Sequence, residues 1–201
     1  TQNWENWTAK KAHNFQTSLS QVLSPKDVVL VGYSYIMQTG ALEGGVNSVS
    51  VGGTRRNEVL PNLRNRHAAT IKFIHAFTDQ FASHLNYRFY LDDWGIMAHT
   101  MEPSVYFSFL DDAGLTKLFY RFYQQSAANS YQDSFANASA FMTSDSDLSR
   151  FMAHEVGVMA NYQLELGNHG NSLDFGASAL YYARNNGLQA GILQLSIGGS
   201  F

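Results

Sequence analysis

Period-two alternation, repeated along most of the chain, is the strongest constraint in this sequence. The stretch Leu193-Gln194-Leu195-Ser196-Ile197-Gly198-Gly199-Ser200-Phe201 puts Leu193, Leu195 and Ile197 on one face of a strand and Gln194, Ser196 and Gly198 on the other. Leu85, Tyr87, Phe89 and Leu91 alternate with His84, Asn86, Arg88 and Tyr90, and Val105, Phe107 and Phe109 with Ser104, Tyr106 and Ser108. Val156, Val158, Ala160, Tyr162 and Leu164 alternate with Glu155, Gly157, Asn161, Gln163 and Glu165. About nine such segments can be read, at 13–23, 28–38, 67–78, 82–92, 98–110, 115–126, 150–166, 172–184 and 188–201. A chain of this kind folds as an antiparallel sheet between an apolar and a polar medium.

Composition decides which medium lies on which side. The 201 residues are 45% hydrophobic and 14% aromatic but only 14% charged, with 16 glycines. So little charge beside so many aromatics is unusual for a cytosolic domain. It suits a barrel with lipid outside and water inside, and each segment is long enough for the ~9–11 residues that cross a bilayer at a tilt. The expectation is one all-β domain over 1–201, an antiparallel transmembrane β-barrel. A soluble antiparallel sandwich also alternates and is the competing fold. No apolar run reaches the ~18 residues of a membrane helix. A net charge of -3 gives no basic field for nucleic acid, and the absence of cysteine excludes disulfides and thiolate sites.

The connections add a second signal. Counted in order, the odd ones are short: 24–27, 78–80, 110–114 and 167–170. Two of the even ones are long, 39–66 and 127–149, and two are tight, around Trp94-Gly95 and Asn186-Gly187. Short turns on one side and longer loops on the other are the habit of outer-membrane barrels, whose long loops are external. That parity places Phe201 on the periplasmic side. Nine strands is odd where such barrels have an even number, so at least one further strand is expected upstream. Residues 1–12, with Trp4 and Trp7, then read as the tail of an external loop. No signal peptide is visible at Thr1, so an exported chain of this sequence would be mature, trimmed or incomplete.

A last strand that alternates and ends on Phe201 resembles the closing strand of bacterial outer-membrane barrels, where the terminal aromatic is part of the insertion signal. Three further runs resemble one family of Gram-negative outer-membrane proteins of unassigned function. They are Pro61-Asn62-Leu63-Arg64-Asn65-Arg66-His67-Ala68-Ala69, Tyr87-Arg88-Phe89-Tyr90-Leu91-Asp92-Asp93-Trp94-Gly95-Ile96 with His99-Thr100, and Tyr120-Arg121-Phe122-Tyr123-Gln124-Gln125-Ser126-Ala127-Ala128. Gln21-Val22-Leu23-Ser24 also fits, and Asp-Asp-Trp-Gly is the most specific run. The resemblance implies an outer-membrane location, contact with the lipid bilayer and lipopolysaccharide, handling by the barrel-insertion machinery, and a chain longer at its N-terminus. Gene neighbours in the family hint at envelope partners and envelope redox traffic. It implies no activity and no cofactor.

Pairing the hairpins about their turns collects charge on the inner face. Arg88 falls opposite Glu102, Asn86 opposite Ser104 and His84 opposite Tyr106. Lys72 falls beside Arg88, Arg121 opposite Ser104 and Lys117 opposite Ser108. One wall then carries Lys72, Arg88, Lys117 and Arg121 against Glu102, and the next carries Glu155, Glu165 and Asp174. Such walls suit a pore or binding cavity that selects solutes by charge, or an ion-pair ladder filling a narrow lumen. A barrel that only docks envelope partners is the other functional reading.

Asp92, Asp93 and Trp94 sit at an external turn. They read as a capped turn with Trp94 at headgroup level, as a loop clamp reached by Arg64 or Arg66, or as a metal or catalytic site. The histidines His13, His67, His75, His84, His99, His154 and His169 look scattered and lack HExxH spacing, so no metal centre is expected. His154 and Glu155 face opposite sides of a strand and cannot cooperate in hydrolysis. His75, among Ile71, Phe73 and Phe77, is expected outside near the periplasmic interface. No nucleophile-base arrangement or phosphate loop appears, so no enzyme is expected. The serine-rich loop 127–149, with Asp133, Asp145 and Asp147, could fold inward, meet a partner or stay disordered.

Overall fold

The fold follows from the alternation. A computed structural model describes residues 10–44, 47–166 and 171–200. Phe201, Trp4, Trp7, His169 and the 167–170 turn lie outside the described residues. The strands are β1 (Lys11–Ser24), β2 (Asp27–Thr39), β3 (Ser48–Val51), β4 (Thr54–Asn57), β5 (Leu63–Ala76), β6 (Phe81–Asp92), β7 (Met97–Phe109), β8 (Gly114–Gln125), β9 (Phe151–Leu166), β10 (Asn171–Arg184) and β11 (Gln189–Ser200). Nine of them form one antiparallel sheet in the order β1-β2-β5-β6-β7-β8-β9-β10-β11, each paired with the strands beside it in that order. Every expected segment is a strand within a few residues. β5 starts earlier than expected, at Leu63.

The long connection between β2 and β5 is not all loop. It contains the β3–β4 hairpin, in which Val51 pairs with Thr54 across Gly52-Gly53. Both glycines have positive φ, 55° and 79°, as a two-residue hairpin turn requires. The described sheet is open. β1 and β11 are its two edges, and Leu193, Leu195 and Ile197 on β11 are 84%, 85% and 78% exposed.

Face assignments hold, but the expected registers are two residues out. Asn86, not Arg88, pairs with Glu102, and Arg88 pairs with Thr100. His84 pairs with Ser104, and Lys72 pairs with Asn86. Lys117 pairs with Tyr106 and Phe119 with Ser104. Each reversal is centred one residue earlier than its apparent midpoint. At the 110–114 turn Leu110, Asp111 and Asp112 all take positive φ and turn the chain early. At the β6–β7 turn Gly95, with φ 88°, donates back to the Asp92 carbonyl, so pairing runs on to Leu91 and Met97. A two-residue shift leaves every side chain on its face.

The two faces differ in kind. One, called the outer face here, exposes Phe73, Leu85, Val105, Leu118 and Val158. The other, the inner face, carries Asn86, Arg88, Glu102, Ser104 and Arg121. Buried residues concentrate at the loop end of the inner face. There Leu60, Trp94, Ile96, Ala128 and Leu148 form one cluster, and Val49, Val51, Phe135 and Met142 a second beside it. The loops thus fold into a cap with its own core.

Candidate functional site

The site is the inner face beneath and beside that cap. In its middle lies an ion network spread over β7, β8 and β9. Lys117 Nζ donates to Glu102 Oε1 at 3.1 Å, Arg121 Nε to Glu102 Oε2 at 2.7 Å, and Arg121 Nη1 to Glu155 Oε1 at 3.1 Å. Pro103, which has no amide to donate, interrupts the β7–β8 ladder between Met101–Phe122 and Ser104–Phe119. Phe119 is buried, with its ring against the Gly157 backbone where any Cβ would clash at 2.6 Å. The Lys117 ammonium sits 4.7 Å from the centre of that ring.

Replacing Glu102 by Gln leaves two cations with one carboxylate fewer between them. The Glu102 side chain is 12% exposed, but that of Arg121 is 41% exposed and water screens it. The expected loss is therefore ~1–2 kcal/mol, seen as a lowered midpoint in thermal unfolding of Glu102→Gln followed by circular dichroism.

Three other inner-face cations stand apart. Among the described residues, Arg66, Lys72 and Arg88 have no carboxylate within salt-bridge distance. Arg88 lies 5.4 Å from the Tyr90 ring, and Arg66 Nε is buried without a hydrogen-bond partner. Arg88 also borders a cleft floored by Gly32, Ala68 and Thr70. Glu165 and Asp174 join no ion pair among the described residues. They pair across the ladder with Ser172 and Gln163, near the turn end.

The clamp at the β6–β7 turn is built by Arg64, not Arg66. Arg64 donates to Asp92 Oδ2 from Nε at 2.8 Å and from Nη2 at 2.5 Å. Tyr90 Oη donates to the same oxygen at 2.7 Å, and Asp92 Oδ1 accepts from the Ile96 amide at 2.9 Å. Asp93 faces elsewhere: its two oxygens accept from the Asn65 amide and side chain at 3.0 and 2.8 Å. Trp94 is buried in the cap. It is 6% exposed, donates to the Leu63 carbonyl at 2.9 Å and stacks under Arg64 at 4.3 Å. Asp-Asp-Trp-Gly is therefore a cap anchor, with its carboxylates already satisfied. Among the described residues, no group of three metal-ligating side chains converges.

The cap holds residues that the sequence did not single out. Glu58 is buried and accepts from Thr143 Oγ1 at 2.5 Å and from the Gly44 amide at 2.9 Å. Arg184 ties β10 to the serine-rich loop through Asp147 at 2.6 Å and stacks on Phe151 at 4.2 Å. Gln125 donates to the carbonyls of Asp147 and Ser149. In the same loop Tyr131 donates to Asp133, and that bond pushes its phenol above the ordinary range. The hairpin signal Ser48-Val49-Ser50-Val51-Gly52-Gly53 could have announced β3–β4. Nothing local announces Arg184–Asp147.

No curated protein matches the chain. A family described as "Protein of unknown function (DUF3570)" matches residues 2–201, nearly the whole length. The chain belongs to that family.

Proposed function

We propose that this sheet is the wall of an outer-membrane β-barrel whose inner face binds or conducts a small solute, with a preference for anions. One observation carries the reading: the sheet is inside out for a water-soluble protein. Its outer face exposes large apolar side chains, and its inner face holds the ions. Phe107 is 50% exposed, Leu118 51% and Val156 48%, while Glu102, Lys117 and Arg121 pair on the other side. Covering a Val, Leu or Phe is worth ~1.5–3 kcal/mol. A face of such half-exposed side chains forgoes that gain in water and forms an apolar patch of the kind that seeks a covering surface. A soluble sandwich needs a second layer over this face, and among the described residues none is there. Lipid supplies that layer, and closure at the β1 and β11 edges satisfies their open ladders.

The anion preference rests on Arg66, Lys72 and Arg88, which project from β5 and β6 with no carboxylate partner among the described residues. The folded cap favours a second reading, a scaffold barrel with a sealed mouth that presents its loops to envelope partners. The expected behaviour is release from membranes only by detergent, with gel mobility that changes on heating. A protein that fractionates as soluble without detergent contradicts the barrel. Planar-bilayer current then separates the two readings, since a sealed lumen carries none.

A further inference from the structure

Four histidines that look scattered in the sequence fall into line on the outer face. His67, His99 and His154 lie on β5, β7 and β9. Each shares a hydrogen bond at Nδ1 with a tyrosine hydroxyl on the preceding strand of the sheet: Tyr33 at 2.7 Å, Tyr87 at 2.7 Å and Tyr120 at 2.6 Å. Each histidine is displaced from the last by one constant step. Directly across from His67, through Leu91, is Met97 on β7, and His99 lies two residues further from the loop end. Across from His99, through Gln124, is Met152 on β9, and His154 again lies two residues further. In the other direction, across from His67 through Tyr35, is Phe15 on β1, and His13 lies two residues nearer the loop end.

Two residues along for two strands across is ~6.7 Å for ~9.6 Å, a slope of about 35°. Strands in a barrel tilt from its axis by ~35–45°, so a line of this slope runs level around the barrel. The strand ends stagger in the same sense. The position on β7 across from the last residue of β5 is Tyr106, and β7 runs on to Phe109. The position on β9 across from Phe109 is Tyr162, and β9 runs on to Leu166.

The level also bounds an apolar band. Eight residues beyond His67, His99 and His154 stand His75, Phe107 and Tyr162, about 22 Å nearer the turn end at that tilt. The outward residues between them on β5, β7 and β9 include Ile71, Val105 and Val158, and none is charged. The apolar band of an outer-membrane barrel is ~25 Å tall.

We infer that the Tyr–His pairs form a belt that hydrogen-bonds lipid phosphate at the outer edge of the membrane. The inference rests on the barrel reading above and deepens it. Each pair uses one hydrogen between Tyr Oη and His Nδ1. In one tautomer His Nε2–H remains free to donate; in the other the Tyr hydroxyl does. Either way one donor per pair faces outward at the height where headgroups begin, and phosphate oxygens are the strong acceptors there. Consecutive histidines are ~12 Å apart, too far to share a metal ion.

The test uses the whole protein with isotope-labelled histidine nitrogens, in phosphatidylcholine vesicles and phosphate-free buffer, so that lipid is the only source of phosphorus. Solid-state NMR then reads dephasing of the side-chain nitrogens by lipid phosphorus. Dephasing is expected, and His67→Phe/His99→Phe/His154→Phe should lower it by about twofold or more, because the aromatic bulk stays and the donors go. Should the triple variant fail to insert, each single variant is expected to show its own smaller drop. An inserted protein without dephasing, or variants that keep all of it, overturns the belt and leaves the barrel standing. A wild-type protein that does not enter the vesicles overturns the barrel itself, and the belt with it.

Discussion

Asp92→Ala is expected to destabilise the protein by ~3–5 kcal/mol, the usual result of removing one partner from a buried ion pair. The Asp92 side chain is fully shielded from solvent and that of Arg64 is 11% exposed. Alanine leaves the Arg64 guanidinium in the cap with Nε and Nη2 both deprived of their Oδ2 acceptor, strands the Tyr90 hydroxyl and frees the Ile96 amide that closes the turn. Asp92→Asn should cost less, since an amide oxygen can still accept from Ile96 or Tyr90. The expected readout is a lower temperature for the heat-dependent change in gel mobility, with new protease cleavage between β6 and β7. An unchanged transition and an intact turn in Asp92→Ala would show that the clamp does not hold the cap.

The second large effect is expected on ion selectivity. Among the described residues Lys72 and Arg88, on neighbouring strands, have no carboxylate partner, whereas Lys117 and Arg121 are largely neutralised by Glu102 and Glu155. If the proposed lumen conducts, the double reversal Lys72→Glu/Arg88→Glu should shift the anion-to-cation permeability ratio by about tenfold toward cations. That corresponds to ~1.4 kcal/mol of lumen electrostatics. Reversal potentials under a salt gradient read it directly. Lys117→Glu should do less to selectivity and more to stability, because it sets a second carboxylate against Glu102. Equal selectivity in wild type and double variant would place the conduction path, if any, away from β5 and β6.

Much of the fold was legible because period two is a local property. Leu85 and Asn86 declare their faces whatever the rest of the chain does, and turn residues mark where each strand stops. Register was less legible, since it depends on where within a turn the chain reverses. Leu110-Asp111-Asp112 gives no composition cue for three successive positive φ values, so the sequence reads Arg121 opposite Ser104, where Phe119 pairs. The cap was hardly legible, because its contacts are long-range. Glu58 meets Thr143 across 85 residues of sequence and Arg184 meets Asp147 across 37. Trp94 shows the limit of reading one residue at a time: a tryptophan near a strand end suits an interface, but here a cap covers it. The Tyr–His line needed the registers of seven strands before it appeared at all.

The claim beneath the rest is that the apolar face of the sheet meets lipid while the ionic face meets water. The chain has no cysteine, so single spin labels can be placed along one strand without removing anything. On β9, labels at Val156→Cys, Val158→Cys and Ala160→Cys face outward, and labels at Met159→Cys and Asn161→Cys face inward. In lipid vesicles the three outward labels should relax strongly with dissolved oxygen and weakly with a water-soluble nickel complex, and the inward pair should do the reverse. Uniform access of the nickel complex to all five, or the opposite phase, would contradict the account.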